Sequence, residues 1–373
     1  MTDVTTSTLP RTVADWKTLA LAGPNDDQRP TMLKVVYRFW LVALALKLIG
    51  STWDMSWHFK WLRDDLAPPH DVNTVGTVIA VALVIYQVRT GLGLDKISKW
   101  LLIWGTGTFL IALPIDVLNH KINGLDITAW SGSHSLLYTG TALMILGVAR
   151  SWHITTPPGR GRTIVSIVLW GFFLENVLFP NQHQEYGVLS FAAWLRGEPY
   201  AEPILLKFAA DQLGRPVDDI AVHGFALPVA DWVYPAWIVG AALLSLVAAR
   251  KFVGFRWTAT AIAVGYVAYR CLAWELLTLA HFPPSAVPFA LIAGAVVIDL
   301  AFLLSADGIS GIAAAVGGAA GASAAFAGAL WLQGRYLEAP PSTWAAIPIA
   351  GVVLAIGWVL VEKYAGQRRS NEA

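Results

Sequence analysis

Residues 72–88 read VNTVGTVIAVALVIYQV, an apolar run without a single charged side chain. An α-helix rises about 1.5 Å per residue, so a run of this length comes close to crossing the ~30 Å hydrocarbon layer of a bilayer. We therefore predict that this run forms a membrane-spanning helix.

Nine further runs of comparable apolarity predict about ten transmembrane helices in all. They lie at residues 35–57, 100–119, 134–149, 163–180, 231–249, 257–280, 286–304, 309–331 and 344–361. Hydrophobic residues make up 56% of the chain and charged residues only 14%, whereas a soluble protein carries roughly a quarter charged residues. The sequence therefore predicts an all-α polytopic membrane protein embedded in a lipid bilayer.

The loops between the predicted spans differ in their content of Lys and Arg, which indicates how the chain is oriented. Loops rich in these residues stay in the cytoplasm, and one set contains Arg29, Lys34, Arg89, Lys96, Lys99, Arg150, Arg160, Arg162, Arg250, Lys251, Arg256, Lys363, Arg368 and Arg369. The opposite loops are poorer and include the long segment 181–230, with an amphipathic helix predicted near residues 201–213. We expect both termini in the cytoplasm and a multi-pass protein of the cell (plasma) membrane.

The spacing of the spans suggests four units. A polar cytoplasmic tail, residues 1–33, precedes a four-helix metal-binding unit of two helix hairpins at 34–150. A second helical unit at 151–305 contains the external 181–230 loop, and a C-terminal helix pair occupies 306–373.

Histidines are distributed unevenly between the two predicted sides of the membrane. Seven of the eight fall on the outer side, and only His153 falls on the cytoplasmic side. Histidines scattered without a function would not sort in this way. We therefore expect a site that faces the periplasm or cell exterior, built from some of His58, His70, His120, His134, His183, His223 and His281.

The first polar box is WDMSWHFKWLRDDLAPPH, residues 53–70. Asp54 and His58 are four residues apart, so they share one face of a helix. His70 opens the next span after a short Pro-Pro turn, from which it can fold back towards that face. Two imidazoles and a carboxylate suit zinc, copper or non-haem iron. The alternative is that these residues only hydrogen-bond lipid headgroups.

The second polar box is DVLNHKINGLDITAWSGSH, residues 116–134. Asp116 and His120 are again four apart, and His134 again opens the next span. The two helix pairs therefore look like a diverged parallel repeat. Each pair places one acidic residue and two histidines at the same depth in the membrane. Ionisable groups inside a membrane are costly and usually functional, so two matching boxes favour a metal site over headgroup contacts.

Two later helices carry further candidate metal ligands at their outer ends. Glu175 is followed by His183, and Glu275 is followed by His281. The simpler alternative for the second pair is a buried salt bridge between Arg270 and Glu275.

Over about residues 45–145, the chain resembles the C subunit of the copper membrane monooxygenases, the particulate methane and ammonia monooxygenases. In the first box the resemblance rests on Asp54, Trp57, His58, Arg63, Asp64, Pro69 and His70. In the second box His120 and His134 keep the spacing of that subunit, whereas Asp116 stands where it has an Asn. The rest of the chain differs from that subunit and has three or four more helices.

The resemblance implies copper as the metal and a monooxygenase or related oxidase as the activity. Dioxygen and a small apolar or lipid-soluble substrate would be its reactants. It also implies that the chain functions in a complex with partner subunits. A homo-oligomer and a self-sufficient chain are the alternatives. Catalytic residues beyond the metal ligands do not carry over. The net charge of +1 argues against a nucleic-acid partner.

Other functions and metals fit the same residues. A transporter or metal-handling protein could use the His/Asp cluster for ion entry, and a zinc-dependent membrane lipid hydrolase could use it to activate water. Iron and zinc are the alternatives to copper. The inner halves of the first four predicted spans hold few polar groups, which speaks against a proton relay across the membrane.

Overall fold

The computed structural model describes residues 13–62, 66–123, 128–306 and 311–372, and all regular structure in these ranges is helical. Among the described helices, seven are long and apolar enough to span a bilayer. They lie at Pro68–Thr90, Lys96–Asn119, Arg160–Leu195, Val233–Val253, Thr258–Leu279, Gly311–Tyr336 and Ala346–Tyr364. An all-helical, multi-pass membrane protein is the architecture that these helices support.

Every predicted apolar run coincides with a helix. In chain order the helices are α1 (Val13–Ala22), α2 (Arg29–His58), α3 (Pro68–Thr90), α4 (Lys96–Asn123), α5 (Gly132–Thr155), α6 (Arg160–Leu195), α7 (Pro203–Gln212), α8 (Asp219–Ala226), α9 (Val233–Trp237), α10 (Leu243–Val253), α11 (Thr258–Leu279), α12 (Ala290–Ala306), α13 (Gly311–Tyr336) and α14 (Ala346–Glu372). A π-helical turn at Ile238–Ala242 joins α9 to α10.

The segment predicted as a long loop, residues 181–230, is largely helical, so that prediction is wrong. Helix α6 continues through Pro180 to Leu195, and its polar residues Asn181 and Gln182 are buried. Their polarity suggested a loop, but Asn181 Nδ2 donates to the carbonyl oxygen of Tyr234 on α9, and Gln182 Nε2 donates to Glu175 Oε1 on α6, both at 3.2 Å. Helix α7 occupies the place of the predicted amphipathic helix.

Two helix hairpins, α2–α3 and α4–α5, pack through small residues. A Cβ atom added to Gly76 would lie 2.7 Å from the carbonyl oxygen of Ala43. In the second hairpin, a Cβ atom added to Gly140 would lie 2.8 Å from the carbonyl oxygen of Gly105. Both separations are too short for a side chain, so the glycines allow the helix backbones to approach closely.

At the end away from the polar boxes, the α3–α4 loop is tied to α5 by an ion pair. Arg150 Nε donates to Asp95 Oδ2 at 3.0 Å, and Ser98 N donates to Asp95 Oδ1 at 2.8 Å. Partial burial raises the pKa of Asp95, but the hydrogen bonds from Arg150 and Ser98 outweigh it and hold the pKa well below its usual range. The carboxylate therefore stays charged at neutral pH.

The close packing of α4 against α5 can be tested with two neighbouring glycines. We expect Gly105→Ala to destabilise the protein by about 1–3 kcal/mol, because its Cβ atom would lie 2.6 Å from Met144 N. Gly107→Ala is the matched control on the same helix, since nothing lies within 4 Å of its added Cβ atom. Unfolding midpoints in detergent measure both. Equal midpoints for the two variants would contradict the close contact.

Candidate metal centre

The first box forms a compact group of three ligand atoms. Asp54 Oδ1 lies 3.2 Å from His58 Nε2 and 2.8 Å from His70 Nε2. Asp54 and His58 occupy the last two turns of α2, and His70 lies in the first turn of α3. Prolines at the start of α3 fit a first helical turn, where their missing N–H groups are not needed. The turn thus brings the second histidine back to the aspartate.

These distances fit a metal-binding group. Ligands at about 2.0–2.1 Å from one metal ion, at angles of 90–120°, lie roughly 2.9–3.6 Å apart. Asp54 Oδ1 is buried, and a nitrogen of each imidazole contacts it. All three ligand atoms lie within 4.8 Å of one another, and no other such group of His, Cys, Asp or Glu occurs in the described part of the chain. The donor set can therefore hold a metal ion.

The second box repeats the contact between the acid and the second histidine. Asp116 Oδ1 on α4 lies 3.5 Å from His134 Nε2 at the start of α5. Ser131 caps α5 by accepting a hydrogen bond from His134 N at 3.3 Å. His120 belongs to α4, but its side chain lies outside the described residues, as do Arg63 and Asp64 of the first box.

The two hairpins also pack in the same register relative to their boxes. The close contact in each hairpin joins a residue eleven positions before the aspartate to a glycine six positions after the second histidine. Equal spacing on both helices of both hairpins is what an internal repeat produces. The resemblance between the boxes therefore extends from ligand spacing to helix packing.

Both boxes face one cavity of about 1020 Å³. Its ionisable lining comprises Lys47, Asp54, His58, His70, Asp116, His134, Glu175 and His183. Apolar side chains from α7 and α8 complete the wall, among them Leu205, Phe208 and Phe225. Together with these three, Leu, Ile, Val and Phe make up more than half of the lining residues outside the ionisable set, so the cavity suits an apolar ligand.

The later candidate residues divide into two pairs. Glu175 and His183 are buried on α6 and line the cavity, but neither belongs to the three-ligand group. His183 Nε2 lies 3.2 Å from the carbonyl oxygen of Phe225. Glu275 and His281 are exposed and are not among the cavity-lining residues. The structure therefore brings only the first pair to the site.

The alternative salt bridge between Arg270 and Glu275 is wrong, because Arg270 pairs with another acid. Its Nη1 lies 2.6 Å from Glu185 Oε2, and its Nη2 donates to Ser285 Oγ at 2.7 Å. Tyr234 OH donates to the second oxygen of Glu185 at 3.2 Å. Sequence reasoning missed this group because it placed Glu185 in an external loop.

A second residue that sequence reasoning missed is Lys47. It is buried on α2, where its Nζ donates to Asn73 Oδ1 and to Thr77 Oγ1, each at 3.0 Å. The signal was present, because a Lys in the middle of an apolar run usually faces the bundle interior for a functional reason.

No known protein family, curated protein or solved structure matches this chain. The resemblance to the monooxygenase subunit therefore stays an expectation that rests on the two boxes.

Removing a ligand should remove bound metal. We expect His58→Ala or His70→Ala to lower the metal content of the purified protein by at least about tenfold, because only two ligands of the first group would remain. Elemental analysis of the protein in lipid nanodiscs measures the content, and the unfolding midpoint checks that each variant is folded.

His153→Ala is the matched control, since His153 lies in the last turn of α5 and does not line the cavity. Its metal content should equal that of the unmodified protein. Full metal content in folded His58→Ala and His70→Ala variants would show that these histidines are not ligands.

Proposed function

We propose that this protein is a copper-dependent membrane monooxygenase, or a related oxidase, acting on a small apolar or lipid-soluble substrate. The observation that carries the proposal is the group of Asp54, His58 and His70 on the wall of a large, mainly apolar cavity. Copper, when bound, supplies the activation of dioxygen. A monooxygenase places one oxygen atom in the substrate and releases the other as water, using two electrons and two protons from a separate donor.

The residues of the cavity have distinct roles in this proposal. Asp54, His58 and His70 hold one metal ion, while Asp116, His120 and His134 hold a second ion or share the first. Each carboxylate offsets the positive charge of the ion in surroundings of low dielectric constant. The apolar walls favour a lipid-soluble substrate over water.

The orientation is part of the same proposal. Ten helices span the cell membrane, both termini lie in the cytoplasm, and the metal group faces the periplasm or exterior. The Asp95–Arg150 pair supports this arrangement, because it lies at the Lys- and Arg-rich end of α3. The metal group lies at the other end of α3, where the chain enters from α2.

Cysteine labelling tests the orientation. In a Cys271→Ala background, we expect a membrane-impermeant maleimide to label Glu198→Cys on intact cells, because the α6–α7 connection lies outside. Pro158→Cys, in the α5–α6 connection, is the control and should react only after the membrane is opened. Both native residues are exposed, so access to the reagent depends on the side of the membrane. The reverse pattern would overturn the orientation.

Exchanging each aspartate for asparagine tests the two metal groups separately. Asp54→Asn keeps the side-chain shape but removes the anionic ligand, so we expect roughly 10–100-fold weaker metal binding at the first group. Asp116→Asn should alter affinity or reactivity at the second group and leave the first nearly unchanged. Metal count, electron paramagnetic resonance spectra and oxygen-dependent turnover of a lipid-soluble substrate are the measurements.

The outcomes separate the candidate functions. Copper spectra that change with Asp54→Asn, together with oxygen consumption, support the oxidase. Zinc binding with ester hydrolysis and no oxygen consumption would favour the lipid hydrolase. Unchanged metal content and spectra in both variants would show that neither aspartate is a ligand, and a proton-coupled transporter would then fit better.

A further inference from the structure

A basic and an acidic side chain line the cavity apart from the proposed metal ligands. Lys47 on α2 and Glu175 on α6 both face it, and both are buried, at 8% and 6% exposure. An amine and a carboxyl side chain thus face the same cavity. Their hydrogen bonds nevertheless go to neutral groups, and the two side chains form no ion pair within 4 Å.

Each of these side chains keeps an unused hydrogen-bonding position. An ammonium group has three N–H donors. Lys47 uses two of them for hydrogen bonds to Asn73 and Thr77, and its Nζ also lies over the Phe109 ring, 4.3 Å from the ring centroid. Glu175 accepts through Oε1 from Gln182 Nε2 at 3.2 Å, and its Oε2 has no partner among the described residues. Leaving a donor and an acceptor unused inside a membrane is costly, so a polar group in the cavity is expected to join them.

We propose that Lys47 and Glu175 form a hydroxyl-binding site, and that the substrate of the proposed oxidase is a lipid-soluble alcohol. A hydroxyl group accepts a hydrogen bond from an ammonium group and donates one to a carboxylate, whereas a ketone or ether can only accept. A hydrocarbon can do neither. The substrate class rests on the proposed function, but the binding site does not depend on metal chemistry.

The apolar part of such an alcohol has a place in the same cavity. Leu44, Leu48, Leu113 and Phe172 lie in the wall that also contains the two charges. Lys47 precedes Asp54 by seven residues on α2, which is roughly 10 Å along a helix. An alcohol bound through its hydroxyl would therefore present a carbon far from that hydroxyl to the metal group.

The experiment compares decan-1-ol with decane, two probes that differ by one hydroxyl group. Binding of each radiolabelled probe to the full-length protein in nanodiscs is measured after subtracting the uptake by empty nanodiscs. The measurement is made on the protein as purified and again after treatment with a chelator. We expect decan-1-ol to bind at least about tenfold more tightly than decane in both states, as a hydrogen bond to a charged group provides.

Variants assign this preference to the two side chains. Glu175→Leu and Lys47→Met should each reduce the preference for decan-1-ol over decane to about twofold or less. Glu175→Gln, whose amide still accepts and donates hydrogen bonds, should retain part of the preference. Glu275→Gln is the matched control, because Glu275 is an exposed acid outside the cavity, and its preference should not change. The comparison of decan-1-ol with decane on the unmodified protein does not depend on any variant being folded.

The results distinguish failure of this inference from failure of the proposed function. Equal binding of decan-1-ol and decane by the unmodified protein would overturn the hydroxyl site, whether or not metal is bound. A preference unaffected by folded Glu175→Leu and Lys47→Met would overturn the assignment to these residues. A clear preference for decan-1-ol in a protein that binds no metal would support the hydroxyl-binding site and contradict the proposed oxidase function.

Discussion

Charged and polar side chains inside a bilayer need partners, because lipid offers no hydrogen bonds to replace those of water. In the buried Glu185–Arg270 pair, Tyr234 OH also donates to Glu185, and Arg270 Nη2 donates to Ser285 Oγ. Asp54 meets the requirement for partners differently, since its buried oxygen contacts two imidazole nitrogens. A cation between these three groups would satisfy all of them, and this is the physical reason to regard the α2–α3 turn of the first hairpin as a binding site.

Small residues make the two boxes equivalent in space. The close backbone contacts at Gly76 and Gly140 place α3 against α2 and α5 against α4 at the same distance from the boxes. Each hairpin then brings the histidine that opens its second helix back to the acid near the end of its first helix. The repeat therefore produces two similar acid–histidine contacts on one cavity, and helix packing holds them there.

The parts of this arrangement that the sequence predicts depend on short-range geometry. Asp54 and His58 are one helical turn apart, and His70 follows after a tight turn, so their meeting requires little knowledge of the fold. The choice of partner for Arg270 depends on the fold. Positions five apart on a helix point roughly 140° away from each other, which leaves Glu275 exposed while Arg270 faces Glu185 in the interior. The continuation of α6 past Pro180 could not be predicted from the sequence for the same reason. Only the packing of neighbouring helices shows that its polar residues are buried.

The cavity extends beyond the part of the chain that carries the resemblance. Residues 45–145 supply both acid–histidine contacts, but Glu175 and His183 come from α6, and Phe208 and Phe225 come from α7 and α8. The same helix α6 carries Glu185, whose pairing with Arg270 fixes α6 against α11. The candidate metal ligands of the two boxes thus come from the two hairpins alone, whereas the walls of the cavity come from the hairpins and from α6–α8 together. A chain could keep the ligand spacing of the copper monooxygenases while α6–α8 change the shape of its cavity, so the choice of substrate has to be derived from the whole wall.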